Sequence, residues 1–264
     1  MRIVFTDLDG TLLDPSSYSF DAAKPALEAL RKQHIPLIFS TSKTRAEVEM
    51  WRVRLGNTEP FIVENGGAIY IPKDYFRSRP HGSLPRAGYH VIQFGTPYQE
   101  LVSTLKEASR ESGCVTLGFH DMSLADICLR SRLPVNHAVL AKQREHDEPF
   151  EIVGAGAYRL LQAIENRGKR WTRGDRFYHI TGDNDKATAV SLLADLYRAQ
   201  HGEVTTAGLG DGWNDAKFLA AVDVPVLVRS RFDVALKKAI PRSIVTEEPG
   251  PQGWNSAVLQ LLAA

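Results

Sequence analysis

Arg2-Ile3-Val4-Phe5-Thr6-Asp7-Leu8-Asp9-Gly10-Thr11 stands directly behind Met1, and its reading decides the fold. Ile3-Val4-Phe5 is a short apolar run of β-branched and aromatic character that ends in polar residues and glycine. That is the pattern of a buried strand stopping at the edge of a sheet. Asp7 and Asp9 then sit at its carboxyl end, where open α/β sheets bind ligands. Two residues apart in extended chain, they point to one side. Gly10 tolerates positive φ and lets the backbone turn, and Thr11 is placed to cap the next segment. Two like charges this close repel unless a cation lies between them or one keeps its proton. Mg²⁺, with its preference for oxygen ligands, is the natural partner. An acidic turn without chemistry is the plain alternative. A calcium loop would need a further acidic or Asn residue before its glycine and a preceding helix, whereas here a strand precedes and Thr11 comes after.

The bulk properties narrow the class. A chain of 264 residues can bury a large core, as one α/β domain or two smaller ones. Its 32 Lys and Arg nearly balance 31 Asp and Glu, so bulk charge implies neither nucleic acid nor membrane as partner. Cys114 and Cys128 have neither CxxC spacing nor a metal-ligand cluster, which argues for ordinary thiols in a reducing compartment. No apolar run reaches the ~20 residues of a membrane span, and no signal peptide precedes the first strand, so a cytoplasmic location is expected.

Strands and helices alternate along the chain. Asp21 is placed to cap a helix over residues 22 to 33. Residues 36 to 42 form a second apolar strand ending in Thr41 and Ser42, a helix covers 45 to 55, and a third strand at 61 to 63 runs into Glu64-Asn65-Gly66-Gly67. Such alternation predicts a parallel sheet covered on both faces. Pro80, Gly82, Pro85 and Gly88 crowd together within residues 77 to 88 and mark a linker. The region beyond it, including a hairpin across Gly174-Asp175, lacks a strand that ends in carboxylates and reads as an inserted α/β module. The expected division is residues 1–79 and 182–264 for the core and 80–181 for the insertion. Lys186 opens a helix, and a strand at 205 to 209 leads to Gly210-Asp211-Gly212-Trp213-Asn214-Asp215. Later strands at 224 to 228 and 243 to 246 complete the sheet. A last helix over 254 to 262 comes after a Pro/Gly-rich loop at 248 to 253.

Asp7 and Asp9, then Thr41 and Ser42, then Asp211 and Asp215 thus converge on one sheet edge, with Lys186 delivered from a helix start. This is equipment for phosphoryl transfer: a divalent cation screens the repulsion between an attacking carboxylate and a phosphate dianion, while hydroxyls, backbone N–H groups and a lysine hold the transferring oxygens.

Asp7-Leu8-Asp9-Gly10-Thr11, Thr41, Lys186 and the Gly210 to Asp215 loop together resemble the four ordered motifs of the haloacid dehalogenase-like phosphatases. The resemblance implies an α/β fold, a Rossmann-like parallel-sheet core with an inserted smaller α/β cap. It also implies that Asp7 is a nucleophile forming an aspartyl-phosphate and Asp9 the general acid and base. Mg²⁺ would be held by Asp7, the backbone carbonyl of Asp9 and Asp211, with Asp215 orienting metal-bound water. Thr41 and Lys186 would bind the phosphoryl group. Gly212 stands where Ser is common in the family, and Ala187 where Gly is common; neither change removes a reacting group.

Within that superfamily the chain is similar to the mannosyl-3-phosphoglycerate phosphatases, on Ser42-Lys43-Thr44-Arg45 with Glu47, Glu64-Asn65-Gly66-Gly67, Arg144-Glu145-His146-Asp147-Glu148-Pro149, Gly174-Asp175-Arg176-Phe177-Tyr178-His179 and Pro249-Gly250-Pro251-Gln252-Gly253. The implied substrate is a phosphorylated sugar-glycerate, with Ser42, Lys43, Asn65, Gly66, Arg144, Arg176, His179 and Asn214 as candidate contacts. Arg144 and Arg176 have the fork to hold a carboxylate or phosphate, and His179 or Glu145 the hydrogen-bonding groups for sugar hydroxyls. The plain alternatives are a salt-bridged surface around Arg144, a core histidine at 179, and helix-start surface charge at Lys43. A phosphatase for glucosyl-3-phosphoglycerate or sucrose phosphate, or a phosphosugar mutase, remains open. A nucleotide-binding module is disfavoured, because neither a phosphate-binding P-loop nor a third glycine after Gly208-Leu209-Gly210 is present. Oligomeric state is not legible.

Overall fold

β1 (Arg2–Thr6) lies in the middle of a sheet because its apolar run supplies both faces. Ile3 and Phe5 are buried in one core layer and Val4 in the other. The computed structural model describes residues 1–174 and 176–263. Along the first part run α1 (Lys24–Lys32), β2 (Leu37–Ser40), α2 (Arg45–Leu55), β3 (Phe61–Val63), β4 (Ala68–Pro72), β5 (Leu84–Arg86) and β6 (Tyr89–Gln93). The cap comes next with α3 (Tyr98–Ser112), β7 (Val115–Gly118), α4 (Leu124–Ser131), α5 (Val135–Ala141), β8 (Glu148–Val153), α6 (Ala157–Glu165), β9 (Arg170–Arg173) and β10 (Tyr178–Thr181). The chain returns through α7 (Lys186–His201), β11 (Thr205–Gly210), α8 (Ala216–Ala221), β12 (Val224–Arg229), α9 (Asp233–Ala239), β13 (Ile244–Pro249) and α10 (Gly250–Ala263).

The core sheet has the order β13-β12-β11-β1-β2-β3-β4-β6-β5. Its first six strands are parallel, as the alternation predicts, but β4, β6 and β5 are antiparallel. The cause is local: four residues between β3 and β4 are too few for a parallel crossover. Ala87 and Gly88 both have positive φ, the geometry of a two-residue hairpin turn. Part of the stretch expected as a linker therefore forms β5, which pairs with β6, and β6 pairs with β4. Both strands thus lie in the core sheet.

The cap is a four-stranded antiparallel sheet, β7-β8-β10-β9, with α3 and α6 against it. Its own core contains Leu101, Leu105, Phe150, Leu160, Ile164 and Ile180, with Cys114 buried among them. The β9 to β10 hairpin forms as expected, though Asp175 in its turn lies outside the described residues. α4 and α5 join the main core, where Phe119, Ile127, Ala138 and Phe177 share a cluster with Tyr18 and Trp51.

Two helix starts differ from expectation. Asp21 opens a 3₁₀ turn, and α1 begins only at Lys24, with Pro25 in its first turn. α10 begins at Gly250, because Pro251 suits a first turn where no N–H partner is needed. Among the described residues no helix is long and apolar enough to cross a membrane.

Candidate active site

Pairing of β1 with β11 brings together residues from opposite ends of the chain. The Asp7 N–H donates to the Leu209 carbonyl at 2.9 Å, so Asp7 stands beside the loop that carries Asp211 and Asp215. One oxygen from each of these three carboxylates lies within 4.8 Å of the others. Lys186 Nζ, also buried, reaches Asp7 Oδ1 at 2.7 Å and Asp215 Oδ1 at 2.6 Å. Lys186 is the first residue of α7, whose N-cap Asp185 accepts from the Thr188 N–H. A lysine at that helix end opposes the dipole, so its place depends on the two carboxylates.

The electrostatics are tense. Burial pushes the Asp7 carboxyl up to about 7 against the pull of Lys186. Burial also raises Asp211 well above the carboxylate range, reinforced by Asp215 and Asp7. Burial opposes the charge on Lys186, but Asp215 and Asp7 outweigh it and its pKa rises. Three converging carboxylates held by one ammonium leave room for a further cation, and an all-oxygen donor set suits Mg²⁺.

The surrounding contacts fix this cluster. Gly10 has φ +78°, and a Cβ there would stand 2.7 Å from Asp211 Oδ2. Thr11, expected to cap the next segment, instead donates to Asp211 Oδ1 at 2.8 Å. Asp215 Oδ2 accepts from the N–H groups of Asp211 and Gly212, and Ser230 Oγ donates to the Asp211 carbonyl. Ser230 comes just after β12 at the same sheet edge; the strand-end argument could have found it.

Asp9 is half-exposed, and its carboxylate pairs with Lys43. Oδ2 is 2.8 Å from Lys43 Nζ, while Oδ1 is buried with no hydrogen-bond partner. The carboxylate of Asp9 is thus not among the converging oxygens. Lys43 is buried beside Glu47 and over the Tyr18 ring, so surface charge does not describe it. Glu47 in turn belongs to a capping box with Thr44 at the start of α2. Thr41 is buried beyond β2, and its hydroxyl accepts from the Lys43 N–H at 3.3 Å.

A cavity of about 350 Å³ opens above Asp7 between core and cap. Ser42, Lys43, Arg144, Arg176, His179 and Asn214 all lie on its wall. Arg144 is buried rather than part of a solvated charge run, and donates to the Ser42 carbonyl at 2.8 Å. Arg176 donates to the Tyr18 hydroxyl and to the carbonyls of Ser131 and Pro15, which ties the cap to the loop after β1. Tyr18, a wall residue with φ 58°, carried no signal in the sequence. Glu145 is not at the cavity: it pairs with Arg86.

Asn65 and Gly66 are not on the wall either. Asn65 bonds Asp147 and Asn214 behind it. Gly66, at φ +86°, packs its Cα against the backbone of Asp185 and Lys186 with no space for a Cβ. Its demand is steric, and Gly66→Ala is expected to destabilise the fold by about 2–4 kcal/mol, combining overpacking with a left-handed backbone. Thermal unfolding measures this; an unchanged Tm would contradict the close approach.

The family model described as haloacid dehalogenase-like hydrolase matches residues 4–80. A glucosyl-3-phosphoglycerate/mannosyl-3-phosphoglycerate phosphatase of Methanococcoides burtonii is 42% identical, over 99% of this chain and 97% of its own. A mannosyl-3-phosphoglycerate phosphatase of Pyrococcus furiosus is 37% identical over 86% and 91%. Among solved structures, a Thermoplasma acidophilum protein aligns with a TM-score of 0.70 at 17% identity, covering 100% of this chain and 98% of that one, which is a likeness of fold. With its motif residues gathered at one sheet edge and relatives matched across its length, the chain belongs to the haloacid dehalogenase-like hydrolases, in the mannosyl-3-phosphoglycerate phosphatase family.

Proposed function

We propose that the protein is a Mg²⁺-dependent phosphatase that hydrolyses mannosyl-3-phosphoglycerate to mannosylglycerate and phosphate. The observation that carries this reading is the cluster of buried Asp7 and Asp215 with half-buried Asp211, clamped by Lys186 and open to a cavity lined by cap arginines. Asp7, the Asp9 backbone carbonyl and Asp211 would hold Mg²⁺, with Asp215 placed to orient water beside it, and the ion would supply charge screening between nucleophile and phosphate.

The chain's own groups perform the displacement. Asp7 attacks phosphorus through one carboxylate oxygen, forming an aspartyl-phosphate as the ester P–O bond breaks. Asp9 gives its proton to the departing glycerate oxygen and then takes one from the attacking water, which releases phosphate from Asp7. Lys43, 2.8 Å from Asp9, holds that carboxyl at the cavity mouth. Lys186 and Thr41 hold phosphoryl oxygens. Arg144 and Arg176 offer cationic forks to the glycerate carboxylate, and His179 and Asn214 offer hydrogen bonds to hydroxyls.

The glucosyl ester is a second reading, favoured by the dual name of the 42% identical relative. A panel of mannosyl-3-phosphoglycerate, glucosyl-3-phosphoglycerate and sucrose phosphate decides by the ratio of kcat/KM. The expected outcome is phosphate release fastest from a glycosyl-3-phosphoglycerate, abolished by EDTA and restored by Mg²⁺. Faster release from sucrose phosphate, isomer interconversion without free phosphate, or full turnover in EDTA would each overturn the assignment.

A further inference from the structure

Asp147 has no part in the chemistry above, yet its side chain is fully buried where the cap meets the acidic loop. Burial opposes its charge, but His179 and Arg144 outweigh burial and hold the carboxyl below the usual carboxylate range. Its oxygens lie 2.8 and 3.1 Å from His179 Nδ1. Oδ2 also accepts from Asn65 Nδ2 at 2.6 Å, and Oδ1 faces Arg144 Nη1 at 3.5 Å.

An ionised carboxylate only accepts, so the proton between the pair belongs on His179 Nδ1. Nε2 is then the ring nitrogen left for a ligand. It lies 3.6 Å from where a Cβ of Gly174 would be, and both residues are on the cavity wall. Asn65 continues the chain of contacts into the core: its Oδ1 accepts from Asn214 Nδ2 at 3.2 Å, one residue before Asp215. Asn65 is held at φ 54°, a conformation that Asn tolerates better than most residues.

We propose that Asp147 is a positioning residue of the cavity: it fixes the tautomer and direction of His179 so that Nε2 faces the bound ester, and it registers that wall to the acidic loop through Asn65 and Asn214. The inference rests on the cavity being the ester's site. It sets Asp147 apart from a purely structural ion pair, which would support the cap without selecting among esters.

Nitrogen NMR of histidine rings in the Mg²⁺-loaded wild-type protein tests the tautomer, with the His179 signals identified by their loss in His179→Gln. A protonated Nδ1 is expected, and a bare Nδ1 overturns the proposal whatever the substrate. Kinetics tests the positioning. Asp147→Asn keeps the shape but sets an amide NH₂ against either His179 or Asn65. On glycosyl-3-phosphoglycerate, kcat/KM is expected to fall about 10-fold or more, mainly through KM, as for loss of a charged hydrogen bond. The fall on p-nitrophenyl phosphate, which has no group to reach His179, is expected to be far smaller. In a His179→Gln background the same substitution should add less than about twofold, since partners in one network are not additive. Equal losses on both esters, or an undiminished loss without His179, overturn the proposal. Failure of the functional reading shows separately, as a wild-type protein that cleaves p-nitrophenyl phosphate but no glycosyl-3-phosphoglycerate, and that too removes the positioning role.

Discussion

Replacing Asp7 by Asn is expected to lower kcat by on the order of 10⁴-fold or more, the scale seen when a nucleophile acting within a unit is removed. The amide keeps the shape and an oxygen for Lys186 but cannot accept phosphorus to form an acyl phosphate. The fold should not suffer. Burial already raises the Asp7 carboxyl to about 7, so the charged form is held at a cost that the neutral amide avoids. Thermal unfolding of Asp7→Asn is therefore expected at or above the wild-type Tm. Phosphate release within tenfold of wild type would dismiss the aspartyl-phosphate route.

Lys186→Met has the opposite profile, because it removes a charge on which two others depend. Nζ bonds Asp7 at 2.7 Å and Asp215 at 2.6 Å, all three groups being buried. Methionine fills the space but leaves two carboxylates without their ammonium, a loss of about 3–5 kcal/mol for a broken buried ion pair. Turnover is expected to fall by about 10²–10³-fold, the scale for one electrostatic donor in a dry site. Steady-state kinetics and thermal unfolding together check this. Wild-type kcat in a folded Lys186→Met would remove Lys186 from the reaction, and an unchanged Tm would deny the buried pair its weight.

The core was legible where its signal was local. Ile3-Val4-Phe5 is buried on both faces and ends in acids, so a short window predicts both the strand and the edge where Asp7 lies. The same rule places Thr41 after β2 and Asp211 after β11. The β5 to β6 hairpin was hidden because Ala87, which rarely adopts positive φ, occupies a turn position where Asn or Gly would have announced it. The cap contacts were hidden for another reason. Asp147, Asn65 and His179 stand in three separate motifs in sequence, and only long-range folding brings them within hydrogen-bond distance. Gly66 shows the reverse error: its neighbourhood to the site is real, but its demand is for space behind Lys186.

The position of β1 between β2 and β11 also governs when during synthesis the protein becomes competent. Thr11 and Asp211 touch although 200 positions separate them. The first strand to leave the ribosome therefore has one neighbour early and lacks the other until the entire cap has been made. Closing so long a loop is slow, and an emerging chain with β1 bare along one edge offers an unpaired template to other strands. By the same geometry, a polypeptide interrupted before β11 carries Asp7 and Asp9 without Asp211 and Asp215, and so lacks the acidic centre.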